Sequence, residues 1–382
     1  MEYRCSFCNS ELEEVYKPIN SERGSVVYIC NQCGLIQTKY TVPYESTYLV
    51  PKVSCDADWG NIRYGKTFTL DKTKLFLKEF ILNSKKILDI GSNRGKFINF
   101  ALSLNENSKI FAVEPDTHII DYETKVYKLY ESKFENISFG DKDKFDFVYC
   151  SHTLEHTDNL RAFLENLYMV THKDSFIFIE VPNIKEIENK NIVEEFFIDK
   201  HTFHFYFQTL SNILNFFGFK LLKSYESKSS FWFLLKKKKR EEENDNFYII
   251  DKTNIESLKK KINDYKKTLK NNRDILHERS QEFASLFSKV AFWGCGRIFD
   301  AIIKYGRFPK EKICIAIDSK LPDFVSKVSG IPIFKPKDVE KNSKCLPEVL
   351  IISSRAFFKS IELEAKKYFP ETKVISYQQI FM

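Results

Sequence analysis

The stretch that most constrains the fold of this chain is Lys85–Phe97, KKILDIGSNRGKF. Ile87–Ile90 is a short apolar run with a single acid, and glycines follow at Gly91 and Gly95 before a helical pattern opens at Phe97. This order predicts a buried parallel strand, a tight turn and a helix start. Glycine lets the backbone approach a ligand where a Cβ would collide, and a helix start offers free N–H groups. The stretch therefore predicts a site for a nucleotide-like cofactor.

Three further apolar runs have the character of buried strands. They are Ile110–Glu114, Phe145–Cys150 and Phe176–Val181, and helical patterns separate them. Strands that alternate with helices predict an α/β fold with a doubly wound parallel sheet, which binds ligands at the carboxyl ends of its strands. Glu114 ends the second strand, where an acid can accept hydrogen bonds from both hydroxyls of a ribose.

Four of the nine cysteines form two CxxC pairs near the N-terminus. In a reducing compartment this pattern favours a metal over disulfides. We expect Cys5, Cys8, Cys30 and Cys33 to hold one tetrahedral zinc ion, and four protein ligands leave no position for water, so the zinc should be structural. Unliganded thiols and an iron–sulfur centre are the alternatives.

Length and charge limit the classes of protein that fit. The 382 residues predict two or three domains, and the net charge of +7 suits an anionic substrate. No apolar run could span a bilayer and the N-terminus is not signal-like, so we expect a cytoplasmic protein with no membrane partner. The basic run Lys236–Arg240 adjoins three acids. It is typical of a solvated loop, so a nucleic-acid partner is not expected.

Four motifs together carry a family resemblance: DIGSNRG, AVEPD, SHTLEHTDNLRAFL and IEVPN. They resemble class I S-adenosylmethionine-dependent methyltransferases, and the GSNxG turn is similar to that of the nucleotide-linked sugar C-methyltransferases. That branch carries an N-terminal four-cysteine zinc module and a C-terminal Rossmann-like domain. The resemblance therefore covers nearly the whole chain.

The resemblance implies S-adenosylmethionine as the cofactor and a set of residues that contact it. The implied set is Gly91, Ser92, Asn93 and Gly95 around the methionine part, Glu114 at the ribose and His152 beside the sulfonium. Asp89 either orients the amino group of the cofactor or caps the glycine turn. His152 and His156 lack metal-site spacing with a third ligand, so no catalytic metal is expected.

Two histidines are candidates for catalysis. The segment Phe196–Phe219 is similar to the family's catalytic segment, and His201 falls on its catalytic histidine. There the histidine removes the C3 proton of a 4-keto sugar, and the enolate attacks the methyl group. Imidazole suits this task because it titrates near neutral pH. His204 is the second candidate, and for both residues the alternative is a core histidine bonded to backbone.

The same segment departs from the family pattern. Lys200 stands where the family has an acid, and Lys228–Ser230 stands where it has His-Gly-Gly. A lysine beside an imidazole lowers the pKa of the imidazole by like-charge repulsion. C-methylation of a keto-deoxysugar remains the favoured function, and O-methylation of a nucleotide-linked sugar remains open.

A second strand, glycine turn and helix pattern begins at Val290, VAFWGCGRIFD. Phe299 occupies the third glycine position of GxGxxG, so bound NAD is not expected. The span resembles the family's C-terminal domain, which grips the nucleotide of the sugar donor. Arg297, Asp318 and Arg355 are the candidates for that grip, and surface charges at strand ends are the alternative.

Five segments summarise the predicted organisation. They are a zinc-binding module at 1–40, a connector at 41–84, an S-adenosylmethionine-binding methyltransferase domain at 85–250, a linker helix at 251–288 and a Rossmann-like substrate domain at 289–382. The connector contains Tyr44, Tyr48, Asp58, Trp59 and Tyr64. The resemblance places it over the active site, but for any single aromatic residue among them we favour packing over the sheet edge. An RNA methyltransferase with structural zinc and a non-catalytic scaffold that retains the fold are the rival functions. The sequence gives no oligomeric state.

Overall fold

The computed structural model describes residues 3–19, 21–42, 56–57, 67–120, 122, 125–238, 252–339 and 346–380. Contacts divide the chain into two compact units. The first comprises Met1–Tyr48, Arg63–Glu188 and Phe197–Asn263, and the second comprises Leu49–Ile62, Asn189–Phe196 and Asp264–Met382. The five predicted segments stay a prediction, and Tyr44, Tyr48, Asp58, Trp59 and Tyr64 lie outside the described residues. Within the part of the chain that is described, no helix is long and apolar enough to cross a membrane.

The first unit holds the N-terminal strands and the larger sheet. Its strands are β1 (Leu12–Tyr16), β2 (Ser25–Cys30), β3 (Ile36–Tyr40), β4 (Lys86–Ile90), β5 (Lys109–Val113), β6 (Lys128–Tyr130), β7 (Phe145–Ser151), β8 (Thr171–Pro182), β9 (Phe203–His204), β10 (Phe219–Glu226) and β11 (Ser230–Lys237). Its helices are α1 (Thr67–Leu82), α2 (Lys96–Leu104), α3 (Leu160–Met169) and α4 (Phe207–Phe216), followed by α5 (Lys252–Ser285), whose residues are divided between the two units.

The larger sheet has the order β10-β11-β8-β7-β4-β5-β6. Strands β4 to β8 are parallel, which confirms the predicted α/β, Rossmann-like fold. At one edge, β11 runs antiparallel to β8 and β10 antiparallel to β11. The short connection between β10 and β11 explains this departure from an all-parallel sheet, because parallel neighbours need a long crossover. β4 lies between β5 and β7, where the strand order reverses, and ligands bind at such switch points.

The four-cysteine segment shares a small sheet with the histidine segment. β1, β2 and β3 form an antiparallel sheet, and β9 is its fourth strand. Ile36 pairs with His204, and the Thr38 N–H donates to the Thr202 carbonyl at 2.8 Å. The fold of the N-terminal segment therefore helps to hold the backbone next to His201.

Local signals in the sequence set the ends of two helices. Asn159 precedes α3, and its side chain accepts a hydrogen bond from the Ala162 N–H at 3.1 Å, as an N-cap does. Gly218 follows α4 with a φ of 83°, a conformation in which glycine commonly ends a helix. Both helices pack apolar side chains, such as Leu164 and Leu210, into the core.

The second unit contains a smaller parallel sheet. Its strands are β12 (Val290–Trp293), β13 (Ile313–Ile317), β14 (Lys327–Val328), β15 (Ile331–Pro332), β16 (Val349–Ile352) and β17 (Lys373–Ser376), and its further helices are α6 (Arg297–Lys304) and α7 (Phe358–Tyr368). The order β13-β12-β16-β17 is parallel throughout. The strand and helix that the sequence predicts from Val290 onward are therefore β12, which belongs to this sheet, and α6, which follows it.

Candidate functional site

The first glycine turn, Gly91–Gly95, links β4 to α2 and contains three residues with positive φ. Gly91, Asn93 and Gly95 have φ values of 70°, 52° and 69°. The N–H groups of Gly91 and Ser92 both donate to the Val113 carbonyl, at 2.8 and 3.0 Å. These bonds fix the turn against the end of β5, at the carboxyl edge of the sheet.

Glu114, which directly follows β5, binds the backbone of the first glycine turn. Its Oε2 accepts a hydrogen bond from the Asn93 N–H at 2.8 Å, and its Oε1 accepts one from the Asp116 N–H at 3.0 Å. A carboxylate has about four acceptor positions, so each oxygen keeps capacity for a hydroxyl. The predicted ribose contact stays a prediction, and the carboxylate is held in a fixed orientation where it would be needed.

Tyr122 lies directly under the turn and was not found by sequence reasoning. A Cβ on Gly95 would stand 2.5 Å from the Tyr122 ring, so only glycine fits there. The Tyr122 hydroxyl is hydrogen-bonded to Ser92 Oγ, and the ring is fully buried. The sequence carries no local signal for this contact, because Tyr122 lies outside any regular element.

The segment after β7 runs beside the first glycine turn. Thr153 Oγ1 donates to the Ile90 carbonyl, the last residue of β4, at 3.1 Å. His152 has a φ of 49°, and its Nδ1 lies 3.4 Å from Glu155 Oε1. Asp89 is buried, at 2% exposure, within β4. The cofactor contacts predicted for His152 and Asp89 remain predictions.

Glu155, His156 and His201 form a cluster that sequence spacing missed. One ligand atom from each lies within 4.8 Å of the others. The Thr202 N–H donates to the Glu155 carbonyl at 2.9 Å, which brings the two segments together. Burial raises the pKa of the Glu155 carboxyl, but interaction with His152 and the charge of His156 outweigh it and hold the pKa below its ordinary value. The carboxylate is therefore ionised near neutral pH.

His204 has different surroundings. Its side chain is 4% exposed, and its Nε2 lies 2.8 Å from Thr38 Oγ1. Burial lowers the pKa of His204 to about 3, so the ring is neutral at ordinary pH. The ring also packs edge-on against Phe197. These contacts favour the core alternative, and the catalytic role of His204 stays a prediction.

The sequence of this unit matches a known family. Residues 62–224 match a family model described as a methyltransferase domain. The chain therefore contains a methyltransferase domain. The protein is therefore an S-adenosylmethionine-dependent methyltransferase. A comparison with curated proteins finds no match.

Several solved structures are similar to parts of this methyltransferase. A putative S-adenosylmethionine-dependent methyltransferase from Listeria monocytogenes is 11% identical, with 44% of this chain and 100% of that chain covered and a TM-score of 0.35. The 1,6-didemethyltoxoflavin-N1-methyltransferase of Burkholderia thailandensis is 14% identical, with 46% and 80% covered and a TM-score of 0.36. The PH0226 protein of Pyrococcus horikoshii is 12% identical, with 44% and 90% covered and a TM-score of 0.39. At these TM-scores the likenesses decide nothing about the chemistry of this chain.

The four N-terminal cysteines of the methyltransferase converge on one point. Cys5 Sγ lies 3.6 Å from Cys33 Sγ, Cys8 Sγ lies 3.4 Å from Cys30 Sγ, and all four sulfurs lie within 4.8 Å of one another. Sulfurs bound at about 2.3 Å around a tetrahedral ion stand roughly 3.8 Å apart, so the spacing fits zinc. Asn9 and Gly34, which follow the two pairs, both have positive φ, as the tight turns around the sulfurs require.

In the second unit, the second glycine turn, Gly294–Gly296, also engages an acid. Asp318 Oδ2 accepts from the Cys295 N–H at 3.0 Å, and Oδ1 accepts from the N–H groups of Lys320 and Leu321, each at 2.9 Å. Both oxygens therefore serve the local backbone. The predicted role of Asp318 in holding a nucleotide remains a prediction.

The two arginine candidates of this unit contact protein groups. Arg355 forms a two-pronged ion pair with Glu194, and its Nε donates to the Tyr377 hydroxyl at 2.7 Å. Arg297 Nη1 donates to the Glu195 carbonyl at 3.2 Å. Glu194 is buried, and although burial raises its pKa, the hydrogen bond and charge of Arg355 lower it below its ordinary value. These contacts explain Arg355 as a side chain that stabilises the fold of the second unit.

Proposed function

We propose that this methyltransferase acts on a sugar carried by a nucleotide, with C-methylation of a keto-deoxysugar as the favoured reaction. The observation that supports it most is the place of His201. It lies in a cluster with Glu155 and His156, and Thr153 ties the segment of those two residues to the end of β4. This arrangement supports a position for His201 near the cofactor that the turn and Glu114 would hold.

The chemistry asks for a base in this position. Bound S-adenosylmethionine supplies an electrophilic methyl group on a sulfonium. A carbon next to a keto group becomes nucleophilic when it loses a proton, and the His201 imidazole is suited to take that proton near neutral pH. The carbon would then take the methyl group that bound S-adenosylmethionine supplies, with S-adenosylhomocysteine as the second product. The protein's task is to align carbon and methyl, which is a matter of positioning.

O-methylation is the second candidate, because Lys200 stands where the resembled family has an acid. A hydroxyl needs less activation than a carbon, and His201 can take its proton in the same way. The backbone carbonyl of Lys200 accepts a hydrogen bond from His156 Nδ1 at 2.8 Å, so this position also fixes the neighbouring ring.

We infer that the four cysteines hold a structural zinc ion, and that the protein works in a reducing, cytoplasmic compartment where such thiols persist. Metal analysis of the purified protein should find about one zinc per chain at this site. Cys30→Ser should lose it and unfold the sheet of β1, β2 and β3. Cys150→Ser, at a cysteine outside the cluster, is the control and should keep the zinc. Protein purified without chelator that holds no metal would contradict the inference.

The function is tested by calorimetric titration of S-adenosylhomocysteine, followed by a panel of nucleotides. Micromolar cofactor binding with selective binding of one nucleoside diphosphate supports a nucleotide-linked sugar. Cofactor binding without nucleotide preference would favour RNA or another acceptor, and no cofactor binding would leave only a scaffold.

The base is tested by substitution. His201→Ala should keep the affinity for S-adenosylhomocysteine and lose turnover by ~10²-fold or more. His172→Ala is the matched control, because His172 contacts Asp146 where β7 and β8 begin, at the end of these strands away from the carboxyl edge. Near-normal turnover of the His201 variant would remove this residue from the mechanism.

A further inference from the structure

A buried carboxylate and two imidazoles converge just after β7. Glu155 is 1% exposed, and among the described residues neither of its carboxylate oxygens receives a hydrogen bond. One nitrogen of His156 and one of His201 join it within 4.8 Å. We propose that Glu155, His156 and His201 bind one divalent transition-metal ion, separate from the four-cysteine site.

The hydrogen bond of His156 sets which of its nitrogens can act as a ligand. Nδ1 lies 2.8 Å from the Lys200 carbonyl, which can only accept, so Nδ1 carries the proton. Nε2 then presents its lone pair, and it lies 3.8 Å from Glu155 Oε1. Metal-binding histidines almost always donate their other N–H to a carbonyl or carboxylate, which fixes the ring and its tautomer. His156 has that arrangement.

Backbone contacts hold the three side chains in place. The Thr202 N–H donates to the Glu155 carbonyl at 2.9 Å, and the His201 N–H donates to the Ile198 carbonyl at 3.0 Å. The rings of His156 and His201 meet edge to face, with centroids 4.8 Å apart. Nitrogen and oxygen ligands at about 2.0–2.2 Å from an ion stand roughly 3–3.5 Å apart, so side-chain shifts of about 1 Å would close the site.

The donor set indicates the class of ion. Two imidazoles and one carboxylate suit Mn²⁺, Fe²⁺, Co²⁺ or Zn²⁺, whereas four thiolates select a soft ion such as zinc. His156 and His201 are both partly exposed, so an ion here could be reached from solvent. Three protein ligands leave open positions, as catalytic sites do.

The role of the ion rests on the proposed function, whereas the site itself does not. A keto or hydroxyl oxygen of the acceptor could occupy an open position and be polarised by the ion. The base role proposed for His201 applies to the protein without this ion, because an imidazole that binds a metal through its lone pair cannot accept a proton. With the ion bound, His201 would be a ligand and the ion would activate the acceptor.

Cobalt titration of the full chain with its cysteine site already loaded with zinc tests the site directly. Zinc binds such ligands more tightly than cobalt, so cobalt should not displace it. Equilibrium dialysis should give one cobalt per chain, with visible bands of a nitrogen and oxygen environment and without intense thiolate bands. Glu155→Gln and His201→Ala should each weaken cobalt binding at least ~10-fold. His172→Ala should bind cobalt as the wild type does.

Titration of S-adenosylhomocysteine into each variant shows whether it is folded, and the partly exposed His201 gives a variant that leaves the buried carboxylate in place. No cobalt binding to the zinc-loaded protein, or equal binding by wild type and both variants, would overturn the proposal. Because no acceptor is present, cobalt binding stands or falls independently of the nucleotide-sugar assignment.

Discussion

The first and second glycine turns share a hydrogen bond to the neighbouring strand and a hydrogen bond to an acid. Gly91 and Gly294 each have positive φ, 70° and 94°, and each N–H donates at 2.8 Å to the carbonyl that ends the neighbouring strand. The next side chains, Ser92 Oγ and Cys295 Sγ, approach those same carbonyls at 3.4 and 3.3 Å. An acid at the end of the second strand accepts an N–H of each turn.

The turns differ in how the backbone continues. The first returns to positive φ at Asn93 and again at Gly95, where Tyr122 leaves no room for a Cβ. The second enters α6 at once, and a Cβ on Gly296 would meet nothing within 4 Å. Phe299, where a third glycine would stand, is fully buried against Phe292. The shared hydrogen bonds therefore belong to the strand and turn architecture. The close approach of a side chain beneath the backbone, by contrast, is particular to the first glycine turn.

The largest difference between the two turns should appear when one methyl group is added to the last glycine of each, Gly95 or Gly296. Gly95→Ala places a Cβ 2.5 Å from the Tyr122 ring at a φ of 69°, and should destabilise the methyltransferase unit by about 2–4 kcal/mol and lower its affinity for S-adenosylhomocysteine. Gly296→Ala is the matched control and should change stability by less than about 0.5 kcal/mol. Denaturant unfolding and calorimetry measure both. Equal losses of stability in the two variants would contradict a special role for the contact between Gly95 and Tyr122.

Neutralising the acid of each turn should separate their functions. Glu114→Gln loses charge-assisted bonds from two N–H groups, so the affinity for S-adenosylhomocysteine should fall about 10- to 100-fold. Asp318→Asn makes the matching change in the second turn and should leave that affinity unaltered while it lowers stability. Isothermal calorimetry on both variants decides this, and an unaltered affinity in the Glu114 variant would remove Glu114 from the cofactor site.

Removing one hydroxyl beneath the first turn should have a smaller effect. Tyr122→Phe keeps the ring that excludes a Cβ and loses the hydrogen bond to Ser92, at a cost of about 1 kcal/mol in the free energy of unfolding. Tyr127→Phe, at an exposed tyrosine on the same segment, should be neutral. If the two variants have equal stability, the hydroxyl does not support the turn.

The smallest expected effect is a lack of reaction at Cys295. Burial, followed by the charge of Asp318, raises the pKa of this thiol well above its ordinary value. Its stabilising contribution is then fully present below the ordinary thiol pKa of about 8.5, and is lost as pH rises above it, because the unfolded chain releases the proton first. Iodoacetamide at about pH 8.5 should modify Cys295 only after denaturation, as mass spectrometry of its peptide can show. Rapid modification of the native protein would contradict this burial.

Elements built from local patterns could be predicted from the sequence. The apolar run at Ile87–Ile90 became β4, and the linker helix predicted at 251–288 corresponds to α5. The antiparallel pairing of β10 with β11 could not be predicted in the same way, because the side chains of β10 are mostly exposed. β9 has two residues, and its pairing with β3 depends on a partner distant in the chain. No local pattern carries such a pairing.

The sequence by itself determined the parts whose chemistry is local: the glycine turn between β4 and α2, the acid that ends β5 and the two cysteine pairs. Tertiary structure alone decided which side chains meet across the chain. It placed Tyr122 under Gly95, buried His204 against Thr38, and joined His201 to Glu155 and His156. The physical reason is that spacing along a strand or helix fixes neighbours within that element, whereas contacts between elements follow from how the sheet orders and packs them.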